Sequence, residues 1–269
     1  MAESDLGFQL TLLAFQEKLK YPLTMSKTLK QEQIEQFHLN GFLVVENVLS
    51  AAELDTLDRH CDLIASGKAE HIPDTSIQLE PVFREGKRPV EDRVLAVRKL
   101  YDLAVYDKIM WAHVSNPKIV DIIADLLGTE DIKLYGDQLF MKASKTGSAL
   151  PWHQDSEDVD ILPMDLVSAW TAIDDATVEN GCLNFAPGTH RWGKLGGNRS
   201  MVAPYEVVYQ QPLIDDIETR RWPVETVPVA RVRIRFHHSL VFQKSNANLS
   251  GKRRRAYATH YMRATSIKD

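Results

Sequence analysis

An imidazole and a carboxylate stand two positions apart in Trp152-His153-Gln154-Asp155. Residues two apart on an extended segment project to one face. With a second, distant histidine, such a pair makes a two-histidine, one-carboxylate metal site. That set suits Fe(II) and leaves coordination positions open for a cosubstrate and oxygen. The spacing is common, however, and a surface or helix-capping pair would leave the same letters.

Other titratable groups are less informative alone. His38, His60, His71, His113 and His260 have no partner at ligand spacing and read as structural or solvent-exposed. Arg231, Arg233 and Arg235 alternate with Val232, Ile234 and Phe236 at the strand period, which puts three arginines on one face. Lys252-Arg253-Arg254-Arg255 is the one dense basic cluster, and its ordinary reading is a solvated strand face. Cys61 and Cys182 are far apart and in no metal-ligand spacing, so a reducing compartment is expected.

The elements that must position these groups can be read from pattern. Leu29, Ile34 and Phe37 have helical spacing, stopped by Asn40-Gly41, and Phe42 to Val45 reads as a buried strand. Ser50 and Glu53 form a capping box for a second helix, with Leu54 and Leu57 on its apolar face. Residues 66–93 are polar and read as a long loop. Asn116-Pro117 opens a helix that turns Ile119, Ile122, Ile123 and Leu126 inward and ends at Gly128. From residue 131, β-type runs alternate with turn signals: Lys133 to Lys142, Leu166 to Ile173, Cys182 to Ala186, Met201 to Tyr209, Val227 to Phe236 and Tyr257 to Met262. This is an antiparallel barrel or jelly-roll signature.

Several blocks, in order, resemble the phytanoyl-CoA dioxygenase family. They are Gln33 to Phe37 with Asn40 to Val45, Asp137 to Lys142, Trp170 to Thr177, Glu179 to Leu183, Pro187 to His190, Asn248 to Ser250 and Arg253 to Tyr257. The resemblance runs from about residue 29 to 263. It implies a mainly β single domain with N-terminal helices, a double-stranded β-helix of jelly-roll, cupin-like type. The expected layout is an N-terminal extension over 1–28, the oxygenase domain over 29–263 and a tail over 264–269.

The resemblance also implies chemistry: Fe(II) and 2-oxoglutarate as cosubstrate, with decarboxylation of the 2-oxo acid coupled to oxidation of a C–H bond in a small organic molecule. His153 and Asp155 fall on the first two metal ligands. Arg254 falls on the arginine that grips the far carboxylate of 2-oxoglutarate, a role suited to a fork-shaped guanidinium. Ser245, Gln138 and Trp170 fall at or near positions that line the cosubstrate. His190 falls where the family has a histidine that is not a ligand.

The chain departs from the family at the third ligand. The distal histidine normally stands eleven residues before the cosubstrate arginine, and here that position is Gln243, in Gln243-Lys244-Ser245. An amide oxygen is a poorer partner for Fe(II) than imidazole. Gln243 is the expected third contact, or a water or a nearby histidine, His237 or His238, fills its place. His237 and His238 lie just upstream, where the family often carries histidines that are not ligands. A shift in strand register would bring His238 in.

Three functions fit this sequence. The first is an Fe(II)/2-oxoglutarate dioxygenase with an altered ligand set, acting on a small molecule. The second is a catalytically impaired pseudo-oxygenase that binds a ligand or a partner subunit, as a homodimer or as a heterodimer with a paralogue. The third is a metal-dependent isomerase or hydrolase on the same barrel. Intact His153, Asp155 and Arg254 favour the first; Gln243 and the arginine face favour the second. A net charge of -5 argues against a nucleic-acid binder. No apolar run reaches the roughly 18 residues that a membrane span needs. The amino-terminal apolar patch, Phe8 to Phe15, follows acidic residues, unlike a signal peptide. The expected location is therefore the cytoplasm.

Overall fold

The computed structural model describes residues 28–157, 159–194, 211–219 and 221–268. The strand expected over Met201 to Tyr209 and most of the expected N-terminal extension lie outside them.

The chain folds as a double-stranded β-helix. Seven antiparallel strands form the larger sheet, in the order β1 (Phe42–Val45), β10 (Ile234–His238), β7 (Leu166–Ala172), β12 (Arg254–Arg263), β4 (Ile132–Lys142), β3 (Val97–Tyr101) and β2 (Ile77–Leu79). A smaller sheet runs β5 (Leu150–His153), β11 (Phe242–Ser245), β8 (Leu183–Ala186) and β9 (Glu225–Val227). β6 (Ile161–Leu162) pairs with β13 (Ile267–Lys268), so the expected C-terminal tail is tied into the fold by its own ladder.

Helices cover the outer face of the larger sheet. Helix α1 (Gln31–Asn40) ends on Gly41, whose φ of 84° is the left-handed conformation glycine takes at no cost. A Cβ there would also meet the His190 ring at 2.5 Å. Helix α2 (Ala51–Ala65) starts with the expected capping box of Ser50 and Glu53. That box contributes about 1 kcal/mol. Leu54, Leu57 and Ile64, each 2% exposed or less, contribute about 1.5–3 kcal/mol apiece, so packing rather than the cap holds the helix. Helix α3 (Pro117–Leu127) lays its apolar face on Val167, Ala169, Ile234 and Phe236. Among the described residues, no helix is long and apolar enough to cross a membrane.

Because both faces of the larger sheet are covered, strand parity decides the environment of each residue. On β10, Ile234 and Phe236 face the helices, so Arg235 and His237 face the space between the sheets. On β7, Trp170 and Ala172 face inward with Ala256 and Ala258 of β12.

Several expectations are corrected here. The segment 66–93 is no plain loop; it holds a 3-10 turn over Asp74–Ser76, strand β2 and a one-turn helix over Pro81–Arg84. The run expected over Val227 to Phe236 is broken by a turn in which Val232 takes a φ of 72°, and the three arginines therefore part. Arg231 pairs with Asp55 and Asp58 of α2, Arg233 with Glu46, and Arg235 enters the interior. Arg255 is no solvated residue. It is 2% exposed and binds Asp174, Asp58 and Asp62. Arg253 pairs with Asp62. The acids of α2 stand at i, i+3 and i+7, one stripe of the helix.

Candidate active site

His153 is the last residue of β5, and Asp155 lies in the turn that follows rather than on the strand. The two still converge: His153 Nε2 stands 3.4 Å from Asp155 Oδ1. Gln154, between them, is 1% exposed and donates to the Leu240 carbonyl at 2.6 Å and the Gly193 carbonyl at 3.0 Å. Ser156 donates through its hydroxyl to Ser239. These bonds staple the turn to the β10–β11 connection, and no ligand pattern in the sequence announced them.

Gln243 is paired with His153 across the β5–β11 ladder. Its Nε2 donates to Asp155 Oδ1 at 2.8 Å, while its Oε1 is buried with no hydrogen-bond partner. From the opposite sheet, His237 brings Nε2 to 2.9 Å from Asp155 Oδ2 and 3.4 Å from Gln243 Nε2. His237 is 2% exposed, and its Nδ1 has no partner. Ser168, with a hydroxyl 3.4 Å from Asp155 Oδ2, also bonds His260 Nδ1 at 2.7 Å, so His260 backs this cluster. His238, by contrast, points away and its Nδ1 accepts from the Leu240 amide. His190 bonds the His38 carbonyl, in line with a structural role.

Electrostatics keep the carboxylate ionised and the imidazole neutral. Burial opposes ionisation of Asp155, but hydrogen bonds from His153 and His237 hold it well below the usual carboxylate range. Burial takes His237 down to about 4, against the pull of Asp155.

The donor set fits a divalent iron. His153 Nδ1 faces the Pro151 carbonyl at 2.9 Å, and a carbonyl only accepts, so the proton sits on Nδ1. That leaves Nε2 of the same ring as the atom that faces the Asp155 carboxylate, where a cation would take both as ligands. Neighbouring ligands of an octahedral ion with bonds of about 2.1 Å lie about 3 Å apart, and the two histidine-to-Asp155 separations, 2.9 and 3.4 Å, bracket that value. Among the described residues, no group of three His, Cys, Asp or Glu side chains is arranged to hold a metal ion, and Asp155 is engaged by its neighbours. A metal would exchange those hydrogen bonds for its own.

Beyond this cluster the interior turns cationic. Arg254 is 4% exposed, and its Nη2 donates to the Gly181 carbonyl at 3.1 Å. Burial lowers it to about 10. Ser245 Oγ accepts from Lys142 Nζ at 2.9 Å. Burial, then Arg254 and Arg98, lower Lys142 to about 6. Trp170 carries the guanidiniums of Arg235 and Arg254 at 4.4 and 5.5 Å from its ring centre. Gln138 lies on the inner row of β4, opposite Ala258, where Lys99 donates to it at 3.5 Å. Of the residues read from sequence, His153, Asp155 and Gln243 meet at one point, and Arg254, Ser245 and Trp170 lie on the same interior surface. Sequence reading left His237 as one alternative third contact and placed Arg235 on a shared arginine face, without bringing either to this cluster.

Comparison with known proteins bears on the family and the fold. The family model described as phytanoyl-CoA dioxygenase (PhyH) matches residues 37–256. A phytanoyl-CoA dioxygenase domain-containing protein 1 homolog of Caenorhabditis elegans is 29% identical, covering 87% of this chain and 91% of its own. Phytanoyl-CoA dioxygenase domain-containing protein 1 of Bos taurus is 27% identical, covering 88% and 91%. Among solved structures, EctD from S. alaskensis with 2-oxoglutarate and 5-hydroxyectoine superposes with a TM-score of 0.75 at 19% identity, over 93% of this chain and 83% of that one. The epimerase SnoN in complex with Fe3+, alpha ketoglutarate and nogalamycin RO gives 0.70 at 20% identity, over 88% and 85%. These likenesses establish the fold, and with the family match they carry one conclusion: this chain belongs to the phytanoyl-CoA dioxygenase family.

Proposed function

We propose that the chain is an Fe(II)/2-oxoglutarate oxygenase of a small organic molecule, with its metal held by His153, Asp155 and His237 and with Gln243 beside them. The observation that carries this reading is the position of His237. Where the family's distal histidine has become Gln243, a second imidazole from β10 stands 2.9 Å from the same carboxylate. Bound iron would supply oxygen activation coupled to decarboxylation of the 2-oxo acid. The chain's own residues have simpler work. Pro151 fixes the His153 tautomer, Gln154 and Ser156 fix the turn that carries Asp155, and Arg254 with Ser245 offers donors to a far carboxylate.

The test is iron content after purification without oxygen, read with 2-oxoglutarate turnover. The expected result is one iron per chain. His237→Ala should weaken Fe(II) binding by at least about tenfold, more than Gln243→His improves it. Iron binding that is indifferent to His237→Ala overturns the ligand assignment.

The second reading, a non-catalytic relative, is favoured by Arg235. Its side chain is 0% exposed and fills interior space between Trp170 and Phe185. Absence of both iron and turnover in the unmodified protein would favour it.

A further inference from the structure

A guanidinium has two kinds of surface: flat faces that stack on aromatic rings and edges that carry its five donors. At Arg235 the faces are provided for and the edges are not. Trp170 and Phe185 hold the group at 4.4 and 4.9 Å from their ring centres. Among the described residues, none of Nε, Nη1 and Nη2 has a hydrogen-bond partner. Beside it, Arg254 lies against the same indole and uses one bond to the Gly181 carbonyl, leaving its Nε unmatched. Among the described residues Arg235 forms no ion pair, and Asp155 of the neighbouring cluster is already held by two imidazoles and an amide. Two desolvated cations sharing one ring, with four donor nitrogens in a charged fork still unspent, call for an anion with two charges.

We propose that Arg235 and Arg254 are the two grips of a dicarboxylate site that works without metal: Arg235 takes the carboxylate nearer Asp155, and Arg254 takes the far one. This deepens the cosubstrate reading above and rests on it for the choice of ligand. In that reading the metal alone would hold the near end. Here the chain supplies its own cation for that end, on the strand that also carries His237. The carboxylate meets the guanidinium in its plane, so the stacking on Trp170 and Phe185 survives binding. Ala172, Ala256 and Ala258 are the small side chains in the same inner-face cluster as Trp170 and Phe185.

The experiment is calorimetry on the full chain, once with EDTA and once with Mn(II). The probes are 2-oxoglutarate, glutarate (same length, no oxo group) and pentanoate (one carboxylate). The expected result is that both dicarboxylates bind in EDTA, within about threefold of their affinity in Mn(II), while pentanoate binds at least about tenfold more weakly. Arg235→Met and Arg254→Met should each cost at least about tenfold in EDTA, the worth of one charge-assisted contact. Arg235→Lys, which keeps the charge but loses the fork, should fall between and guards against misfolding of the first variant. Dicarboxylate binding that appears only with Mn(II), or that Arg235→Met leaves unchanged, overturns the proposal and spares the oxygenase reading. Metal-free binding with no turnover keeps this site and removes the oxygenase reading. No dicarboxylate binding in either condition overturns both.

Discussion

Arg254 and Arg255 are adjacent on β12, and strand parity sends them to opposite faces of one sheet. Both are almost fully buried, at 4% and 2% exposed. On the helix-covered face, Arg255 meets Asp174, Asp58 and Asp62 at 2.6–3.0 Å and is held above its ordinary value by Asp174 and the acids of α2 against burial. On the inner face, Arg254 has one backbone carbonyl, Arg235 beside it has nothing, and burial lowers both. A buried charge that is answered within the chain serves the fold; one left unanswered is stable only through what it will bind. The two faces thus separate a clip from a site without any appeal to motif.

The comparison breaks most easily at the clip. Arg255→Met should lower unfolding stability by about 3 kcal/mol, since it strands three acids around a buried point, and should leave dicarboxylate affinity unchanged. Urea titration with calorimetry checks both; a loss of affinity larger than the loss of folded protein would show that the two faces are coupled. A smaller effect is expected at Asp107, another answered charge. It is 5% exposed and takes two backbone amides and the Nε2 atoms of His60 and His71, at 2.6 and 2.8 Å. Against burial, these bonds hold it at about 2. A carboxylate lowered in the folded state gives stability that is present above its unfolded value, near 4, and is lost as pH falls toward 2. The stability gap between the unmodified protein and Asp107→Asn should therefore shrink by about 2 kcal/mol from pH 5 to pH 2. Parallel pH curves would reject the assignment.

Much of this was legible in the sequence, and parity explains the misses. Helix ends at Gly41 and Gly128 and the capping box at Ser50 were readable because each depends on local chemistry alone. His153, Asp155, Gln243, Ser245 and Arg254 were readable because block order fixes which strands carry them. His237 stood only as an alternative to Gln243, one of two histidines where the family often carries non-ligands. Yet Ile234 and Phe236 are apolar, and carrying that alternation two residues further puts His237 on the face of Arg235. Arg255 was given to solvent because two of its partners, Asp58 and Asp62, lie on one stripe of a helix nearly two hundred residues away. Only the fold brings helix and strand together. Arg231 and Arg233 could not be separated from Arg235 without knowing that Val232 adopts a left-handed turn.

The finest test of the comparison is a change of sign. Replacing Arg255 should destabilise the protein, but replacing Arg235 should not. Arg235→Met keeps most of the aliphatic length, keeps contact with Trp170 and Phe185 and removes three buried donor nitrogens that have no acceptor. Exchanging an uncompensated buried ion for an apolar side chain of similar volume is commonly neutral or stabilising. Some of the gain is offset by the lost cation–π contact with Trp170, worth about 1–2 kcal/mol when desolvated. The expected result in urea titration, without added ligand, is a change between zero and about 1 kcal/mol toward greater stability. If Arg235→Met instead loses 2 kcal/mol or more, the guanidinium is a packing element of the interior like any large core side chain. The contrast between the two faces of β12 would then be one of degree and not of kind.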